Sequence, residues 1–158
     1  MTGHSNGVYS LALLQNGDLT SGSLDDTIKI WDKSTWELKR TLTGHSHYVV
    51  SLAVLQNGDL ASGSYDETIK IWDSSTCELK RTLTGHSYSV WSLAVLENGD
   101  LASGSGDQTI KIWDSSTWSL RRTLTGHSGS VRSLAVLQNG DLASGSSDQT
   151  IKIWNFSP

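Results

Sequence analysis

The sequence predicts an all-β protein built from four copies of one small sheet. "GHS" begins at residues 3, 44, 85 and 126, and "IKIW" begins at residues 28, 69, 110 and 151, so both recur with a period of 41 residues. Within each copy, short segments rich in Val, Ile, Leu and Thr alternate with turn residues, as is typical of antiparallel strands. No segment shows helical periodicity. A fixed period of this length indicates a repeat architecture.

The second copy predicts four strands in order. They are "VVSLAVL" at 49–55, "LASGS" at 60–64, "TIKIWD" at 68–73 and "ELKRTLT" at 78–84. Asn57 and Gly58 predict a tight hairpin turn between the first two strands, because both residues tolerate positive φ. A turn around Asp66 separates the second and third strands, and "SST" links the third to the fourth. Small residues between the larger apolar ones favour sheets that are covered on both faces.

Composition narrows the function classes. The chain has 158 residues, a net charge of −4, no run of Lys or Arg, and a single cysteine, Cys77. The charge pattern argues against nucleic acid as a partner, and the single cysteine excludes an intrachain disulfide. The N-terminal residues do not read as a signal peptide, and no apolar stretch has membrane-spanning length. We expect a cytoplasmic protein with neither a membrane nor a nucleic-acid partner.

The pairing of "GH" with "IWD" in successive copies resembles the WD-repeat family of β-propellers, and the resemblance covers the entire chain. It implies that each copy is a four-stranded blade, with its first strand at a central channel and its fourth strand outermost. We expect one domain, residues 1–158, with blades at about 3–43, 44–84, 85–125 and 126–158. The last copy stops at "IKIWNFSP", so we expect its blade to lack the outer strand.

Four blades are fewer than the seven or eight that usually close a propeller of this family. One face of the first blade and one of the last would stay uncovered, and neither end copy carries a polar cap. The sequence therefore predicts half of an eight-bladed β-propeller, closed by a homodimer. We also expect an open strand edge at 150–154, which the terminal Pro158 would blunt slightly.

Each copy contains a His, a Ser, an Asp and a Trp at identical spacing. The resemblance implies a hydrogen-bonded tetrad in which Asp bonds His, His bonds Ser, and Ser bonds the indole N–H. A catalytic triad would be needed once, whereas this set occurs four times, so we predict a structural role. The choice between the two serines of strand two, such as Ser62 and Ser64, stays open. The predicted tetrads are His4, Ser21, Asp25, Trp31; His45, Ser62, Asp66, Trp72; His86, Ser103, Asp107, Trp113; and His127, Ser144, Asp148, Trp154.

Three positions differ strongly between the otherwise similar copies. They flank the constant Val of strand one and precede the turn Asp, and the resemblance places them on the channel rim, where partners commonly bind. Their residue types include those that dominate interface energetics. Unconstrained drift is the alternative explanation. The positions are Gly7, Tyr48, Ser89 and Ser130; Tyr9, Val50, Trp91 and Arg132; and Leu24, Tyr65, Gly106 and Ser147.

Two further sites invite a functional explanation. Trp36, Cys77 and Trp118 occupy a second variable position, for which we predict packing at the outer edge of the blade. His45 and His47 are two residues apart, but no Cys or carboxylate joins them at metal-ligand spacing, so no metal site is expected.

Three classes of function remain. We expect a non-catalytic scaffold, with no cofactor, that binds a protein or peptide at the rim. The first alternative is a purely structural half-propeller, engineered or recently amplified, that self-assembles and has no evolved ligand. The second alternative is a sugar-binding propeller.

Overall fold

The structure is a computed structural model and describes residues 1–156, whose regular elements are all β-strands. Fifteen strands form four antiparallel sheets in which consecutive strands are neighbours. The prediction of an all-β repeat fold is confirmed. Sheet 1 contains β1 (Val8–Leu13), β2 (Leu19–Ser23), β3 (Ile28–Trp31) and β4 (Leu38–Leu42). Sheet 2 contains β5 (Val49–Val54), β6 (Leu60–Ser64), β7 (Ile69–Trp72) and β8 (Leu79–Leu83).

The third and fourth sheets repeat this plan, except that the fourth has three strands. Sheet 3 contains β9 (Val90–Val95), β10 (Leu101–Ser105), β11 (Ile110–Trp113) and β12 (Leu120–Leu124). Sheet 4 contains β13 (Val131–Val136), β14 (Leu142–Ser146) and β15 (Ile151–Trp154). Within residues 1–156, no strand pairs with the outer edge of β15. The blunting effect predicted for Pro158 lies outside the described residues.

The sheets pack face to face in chain order, with their first strands as neighbours. We call the face toward the preceding sheet the front face and the opposite one the back face. At the first junction, Ile28 and Ile30 on the back of sheet 1 meet Val49, Leu52 and Trp72 on the front of sheet 2. Burying these apolar side chains between layers drives the stacking. Two further cores of the same composition fill the remaining junctions.

One predicted turn is wrong in detail. Only Gly58 has a positive φ, +89°, whereas Asn57 does not adopt the left-handed conformation. Gly58 N–H donates to the carbonyl of Leu55, and Leu55 N–H donates to that of Asp59, so the loop has three residues with glycine in the left-handed position. Asn57 contributes through its side chain instead, which accepts a hydrogen bond from the backbone N–H of Asp59.

The two end faces of the stack are exposed. Leu11 and Leu13 on the front of sheet 1 are 61% and 63% exposed, and Ile151 on the back of sheet 4 is 76% exposed. The matching residues inside the stack, such as Leu52 and Ile69, are buried. The end faces are thus two halves of the junction that occurs three times inside the chain.

Candidate functional site

The His–Ser–Asp–Trp tetrads form one hydrogen-bonded chain in every sheet. In sheet 2, His45 Nδ1 lies 2.7 Å from the Asp66 carboxylate, and His45 Nε2 lies 2.7 Å from Ser62 Oγ. Trp72 Nε1–H donates to the same hydroxyl at 2.8 Å. The other three sheets repeat these contacts within 0.1 Å. The hydroxyl that meets the histidine is that of Ser62, not Ser64, which donates to the His47 carbonyl.

In the tetrad of sheet 3, the electrostatics favour a neutral His86 beside an ionised Asp107. Burial lowers the pKa of His86 against the opposing effect of Asp107. Burial opposes ionisation of Asp66, but hydrogen bonds from His45, from Thr68 and from a backbone N–H outweigh it and lower the pKa of Asp66. An ionised carboxylate can only accept, so His45 Nδ1 donates to Asp66 and, in the matching tautomer, His45 Nε2 accepts from Ser62.

The serine of the tetrad is shielded from solvent. Ser62 and Ser103 are fully buried, and Ser144 is 1% exposed. A nucleophile must reach a substrate, and these hydroxyls already engage both of their tetrad partners. The geometry suits a buried network that fixes the loop carrying the histidine against strands two and three.

The rim positions predicted from the sequence lie together on one end of the stack. We define the rim surface as the loops before the first strands and after the second strands, with the first two residues of each first strand: 3–9, 24–27, 44–50, 65–68, 85–91, 106–109, 126–132 and 147–150. Two of the three rim positions are bonded to each other in every sheet. Leu24 N–H donates to the carbonyl of Gly7, and Tyr65 N–H to that of Tyr48, at 2.9 and 3.0 Å. Sheets 3 and 4 do the same through Gly106 with Ser89 and Ser147 with Ser130.

The third rim position is a β-bulge. The register between the first two strands of each sheet shifts there, so Tyr9, Val50, Trp91 and Arg132 have no partner residue opposite them. A bulged residue can turn its side chain away from the regular alternation of the strand. Val50 does not use this freedom to reach solvent, since it is 8% exposed.

Rings from sheets 2 and 3 meet on the rim surface. His47, Tyr48, Tyr65 and Trp91 form what we call the aromatic row. Ring centroids are 5.2 Å apart for Tyr48 and Tyr65, and 4.6 Å apart for Tyr65 and Trp91. Burial raises the pKa of Tyr65, and the indole N–H of Trp91 is buried without an acceptor within residues 1–156.

The row ends at a cation. The Arg132 guanidinium carbon lies 3.9 Å from the centre of the Trp91 ring, a distance typical of a cation–π contact. Tyr9 stands apart from the row, beside Gly7 and Leu24, and is 63% exposed. Ser89 is buried.

Sequence reasoning missed two aromatic residues of the rim surface. His47 contacts Tyr48 and Tyr65, and Tyr88 is 58% exposed. The Tyr88 ring occupies the space above Gly106, where any added Cβ would lie 2.3 Å from it. Both residues occupy a position that also varies between copies, next to the one that was identified, and this variation could have revealed them.

The second variable position lies at the junctions between sheets, not at the outer edge of the blade. Cys77 packs against the core between sheets 1 and 2, and Trp118 against the core between sheets 2 and 3. Trp36 holds the corresponding place in sheet 1, at one end of the stack, and is 49% exposed.

Other sites add little chemistry. Residues 1–156 contain no group of three or more His, Cys, Asp or Glu side chains that could hold a metal ion. In the same part of the chain, no helix has the length and apolar character needed to cross a membrane. A pocket of about 390 Å³ on the front face of sheet 1 is lined by Val8, Leu11 and Trp31 among others.

Comparison with known proteins identifies the repeat. The family described as WD domain, G-beta repeat matches residues 1–32, 36–73, 77–114 and 118–155. The solved WD40 β-propeller domain of Doa1 superposes with a TM-score of 0.91 at 31% identity, over 99% of this chain. This chain spans about half of that domain, 53%.

A second similar structure is that of the computationally designed protein Ika4. It superposes with a TM-score of 0.88 at 36% identity, over 99% of this chain and 96% of that one. No curated protein sequence matches the chain. The four family matches extend over nearly all of the chain, and the sheets have the order and stacking of propeller blades. The chain therefore belongs to the WD40-repeat family of β-propeller proteins.

Proposed function

We propose that the chain is a non-catalytic scaffold that binds a protein or a peptide on the rim surface. WD40 propellers generally mediate protein interactions. The observation that carries the proposal is the aromatic row, in which Tyr48, Tyr65 and Trp91 are half-buried and in contact. Such rings offer a large, rigid and mostly apolar area at a small cost in side-chain entropy, and Tyr and Trp are common interface hot spots.

Alanine substitutions in the aromatic row test the rim proposal. Peptides are first selected on the chain from a displayed library of short random sequences. We expect Trp91→Ala and Tyr48→Ala each to weaken binding of a selected peptide by about 1–3 kcal/mol, since each removes a contact ring. Titration calorimetry measures the affinity, and the melting temperature should stay nearly constant.

Leu79→Ala is the matched control, because Leu79 is an exposed apolar residue of β8, outside the rim surface. It should leave the affinity unchanged. Selected peptides that bind equally well to all three variants would contradict the proposal. Unfolding of both rim variants would place these rings in the core instead.

A second candidate function is purely structural self-assembly without an evolved ligand. The similarity to a computationally designed protein over nearly its whole length favours this alternative, as does the near-identity of the copies. It predicts that the chain assembles completely and that the selection above yields no peptide whose binding is saturable.

Under either function, we propose that two copies of this 158-residue chain close an eight-bladed ring. The front face of sheet 1 and the back face of sheet 4 are the two exposed halves of one junction. Each internal junction seats a valine of the following sheet on a glycine of the preceding one: a Cβ added at Gly63 would lie 2.9 Å from Val90. Within residues 1–156, a Cβ added at Gly145 would meet only Ser133, at 3.9 Å, and Val8 is 49% exposed.

A hydrogen bond between neighbouring first strands is the second feature that all internal junctions share. At each internal junction a leucine N–H of one first strand donates to a serine hydroxyl of the preceding one, as from Leu52 to Ser10 at 3.0 Å. The two later junctions repeat it. Within residues 1–156, the equivalent acceptor on sheet 4, the Ser133 hydroxyl, and the equivalent donor on sheet 1, the Leu11 N–H, do not form this bond. A second copy supplies both missing partners at both ends of the arc.

Eight blades lie within the range that propellers adopt, and each blade then turns by about 45°. The superposition on about half of a β-propeller domain supports a curvature compatible with closure. Light scattering on the purified chain tests the ring. We expect a mass of twice 17.1 kDa. A monodisperse monomer would contradict the ring, and a trimer would require a different closure.

A further inference from the structure

The rim surface concentrates aromatic residues. All four tyrosines of the chain belong to it: Tyr9, Tyr48, Tyr65 and Tyr88. Trp91 adds the largest ring, and it contacts the central tyrosine of the row, Tyr65, edge to face. The remaining tryptophans lie elsewhere, in the tetrads and at the variable position before the fourth strands. The rim surface therefore holds every tyrosine of the chain together with Trp91.

The rim surface also has a one-sided charge. Of the twelve Lys and Arg residues, only Arg132 lies in it, whereas six of the sixteen acidic residues do. Glu67 is exposed next to the aromatic row, and Asp66 remains ionised because its pKa is lowered by hydrogen bonds that outweigh its burial. The acidic residues of the rim surface are Asp25, Asp26, Asp66, Glu67, Asp107 and Asp148. With its histidines neutral, the rim surface has one basic and six acidic residues, an excess of negative charge that attracts cations.

One cation already lies on the row. The Arg132 guanidinium stacks on Trp91 at 3.9 Å. Arg132 is exposed, and none of the ion pairs within residues 1–156 involves it. The contact is thus a guanidinium held by a ring face, in the one place on the rim surface where an arginine occurs. It marks the Trp91 ring as a site that accepts a planar cation.

We propose that the rim surface binds an extended peptide segment that carries arginine, with the arginine stacking on Trp91 in the place that Arg132 now occupies. The proposal deepens the rim-binding function and rests on it. The aromatic row supplies the ring faces, and the excess of acidic over basic residues on the rim surface supplies the charge complementarity. Arginine is preferred over lysine because its planar guanidinium stacks on aromatic rings. Arg132 acts as an internal competitor that the ligand displaces.

Three short peptides of equal length are the probes: repeats of arginine and glycine, of lysine and glycine, and of glutamate and glycine. Titration calorimetry at low salt measures binding to the 158-residue chain. We expect the arginine peptide to bind more tightly than the lysine peptide, and the glutamate peptide not to bind. Raising the salt concentration should weaken binding severalfold, because salt screens exposed charges.

Arg132→Ala gives the sharpest result. Removing the competitor frees the Trp91 face, so we expect the affinity for the arginine peptide to rise about threefold. Arg81→Ala is the matched control, since it removes the same charge from an exposed position on β8, outside the rim surface. It should change the affinity much less. Trp91→Ala should abolish the gain in an Arg132→Ala background.

The outcomes separate this inference from the function it rests on. If the glutamate peptide binds as well as the arginine peptide, or if Arg132→Ala weakens binding or leaves it unchanged, the inference is wrong. If library peptides of another chemistry then bind in a Trp91-dependent way, rim binding stands without the arginine preference. If no peptide of any kind depends on Trp91, both fail.

Discussion

In the tetrad of sheet 2, Ser62 Oγ lies between His45 and Trp72 and is hydrogen-bonded to both. It accepts a hydrogen bond from Trp72 and donates one to His45, so its single proton and a lone pair are both used. Removing any member leaves a buried polar group without its partner, which costs more than the hydrogen bond itself contributes. The tetrads are therefore expected to stabilise the fold through mutual satisfaction.

At this scale we predict that His86→Ala lowers the free energy of unfolding by about 1–3 kcal/mol, because Ser103 and Asp107 each lose one of their hydrogen-bond partners in a buried site. Urea titration at fixed protein concentration measures the loss. His47→Ala is the control, since His47 is an exposed rim histidine outside the tetrads. Equal losses for the two variants would refute a special role for the buried network.

Individual residues also show where sequence reasoning stops. Ser62 and Ser64 lie two apart on one strand, so periodicity places both on the same side. The hydroxyl of Ser64 is taken by the His47 carbonyl and by Asp66 N–H. Only the folded loop, which brings these groups within reach, distinguishes the two serines. The burial of Val50 is likewise set by neighbouring strands and not by its own sequence context.

The strand boundaries predicted from the sequence agree with the observed ones to within a residue or two. Strand three was predicted at 68–73 and spans Ile69–Trp72. Alternation of apolar and small residues and the repeated turns carry this information locally. The bulge at Tyr9, Val50, Trp91 and Arg132 is different, because it exists only in the pairing between two strands. Comparison of the copies therefore identifies the variable rim positions, but it does not predict which aromatic rings contact one another.

The hydrogen bond between neighbouring first strands yields a prediction at the level of elements. Ser92→Ala breaks the bond to Leu134 inside the chain, so it should lower the free energy of unfolding of the folded arc by about 0.5–1.5 kcal/mol. Ser133→Ala removes the equivalent bond from the proposed junction between copies. It should weaken dimerisation by about tenfold, as two junctions are affected.

Sedimentation at a series of concentrations measures the dimer dissociation constant for both serine variants. Ser92→Ala should leave that constant nearly unchanged. Unaltered dimerisation of Ser133→Ala would mean that the end sheets do not meet as the internal sheets do.

For the whole molecule, the decisive feature is the match between its two ends. Every internal junction seats a valine against a glycine, and a Cβ added at Gly104 would lie 2.7 Å from Val131. In the described part of the chain, a Cβ added at Gly145 would make only an ordinary van der Waals contact, with Ser133. The exposed faces of the two end sheets therefore have the same surface features as the two sides of an internal junction.

If two copies close the proposed ring, we predict that Gly145→Ala converts the dimer to a monomer without unfolding the arc, because the added methyl group would clash with Val8 of the second copy. Light scattering reports the mass, and circular dichroism reports the fold. Gly104→Ala is the comparison, and it should destabilise the arc itself. A Gly145→Ala chain that remains fully dimeric would rule out this mode of closure.

The repetition of one glycine–valine junction has a further consequence for chain connectivity. When all junctions around a ring are alike, the position of the chain break has no special place in the assembly. Consider a circularly permuted chain that begins at Gly44, with the last copy linked to the first. Its new end sheets would expose the same two surfaces, a front face with the junction valine and a back face with the junction glycine. Circular permutants that begin at different loops would then have equivalent interfaces. Two different permutants mixed together would form hybrid rings.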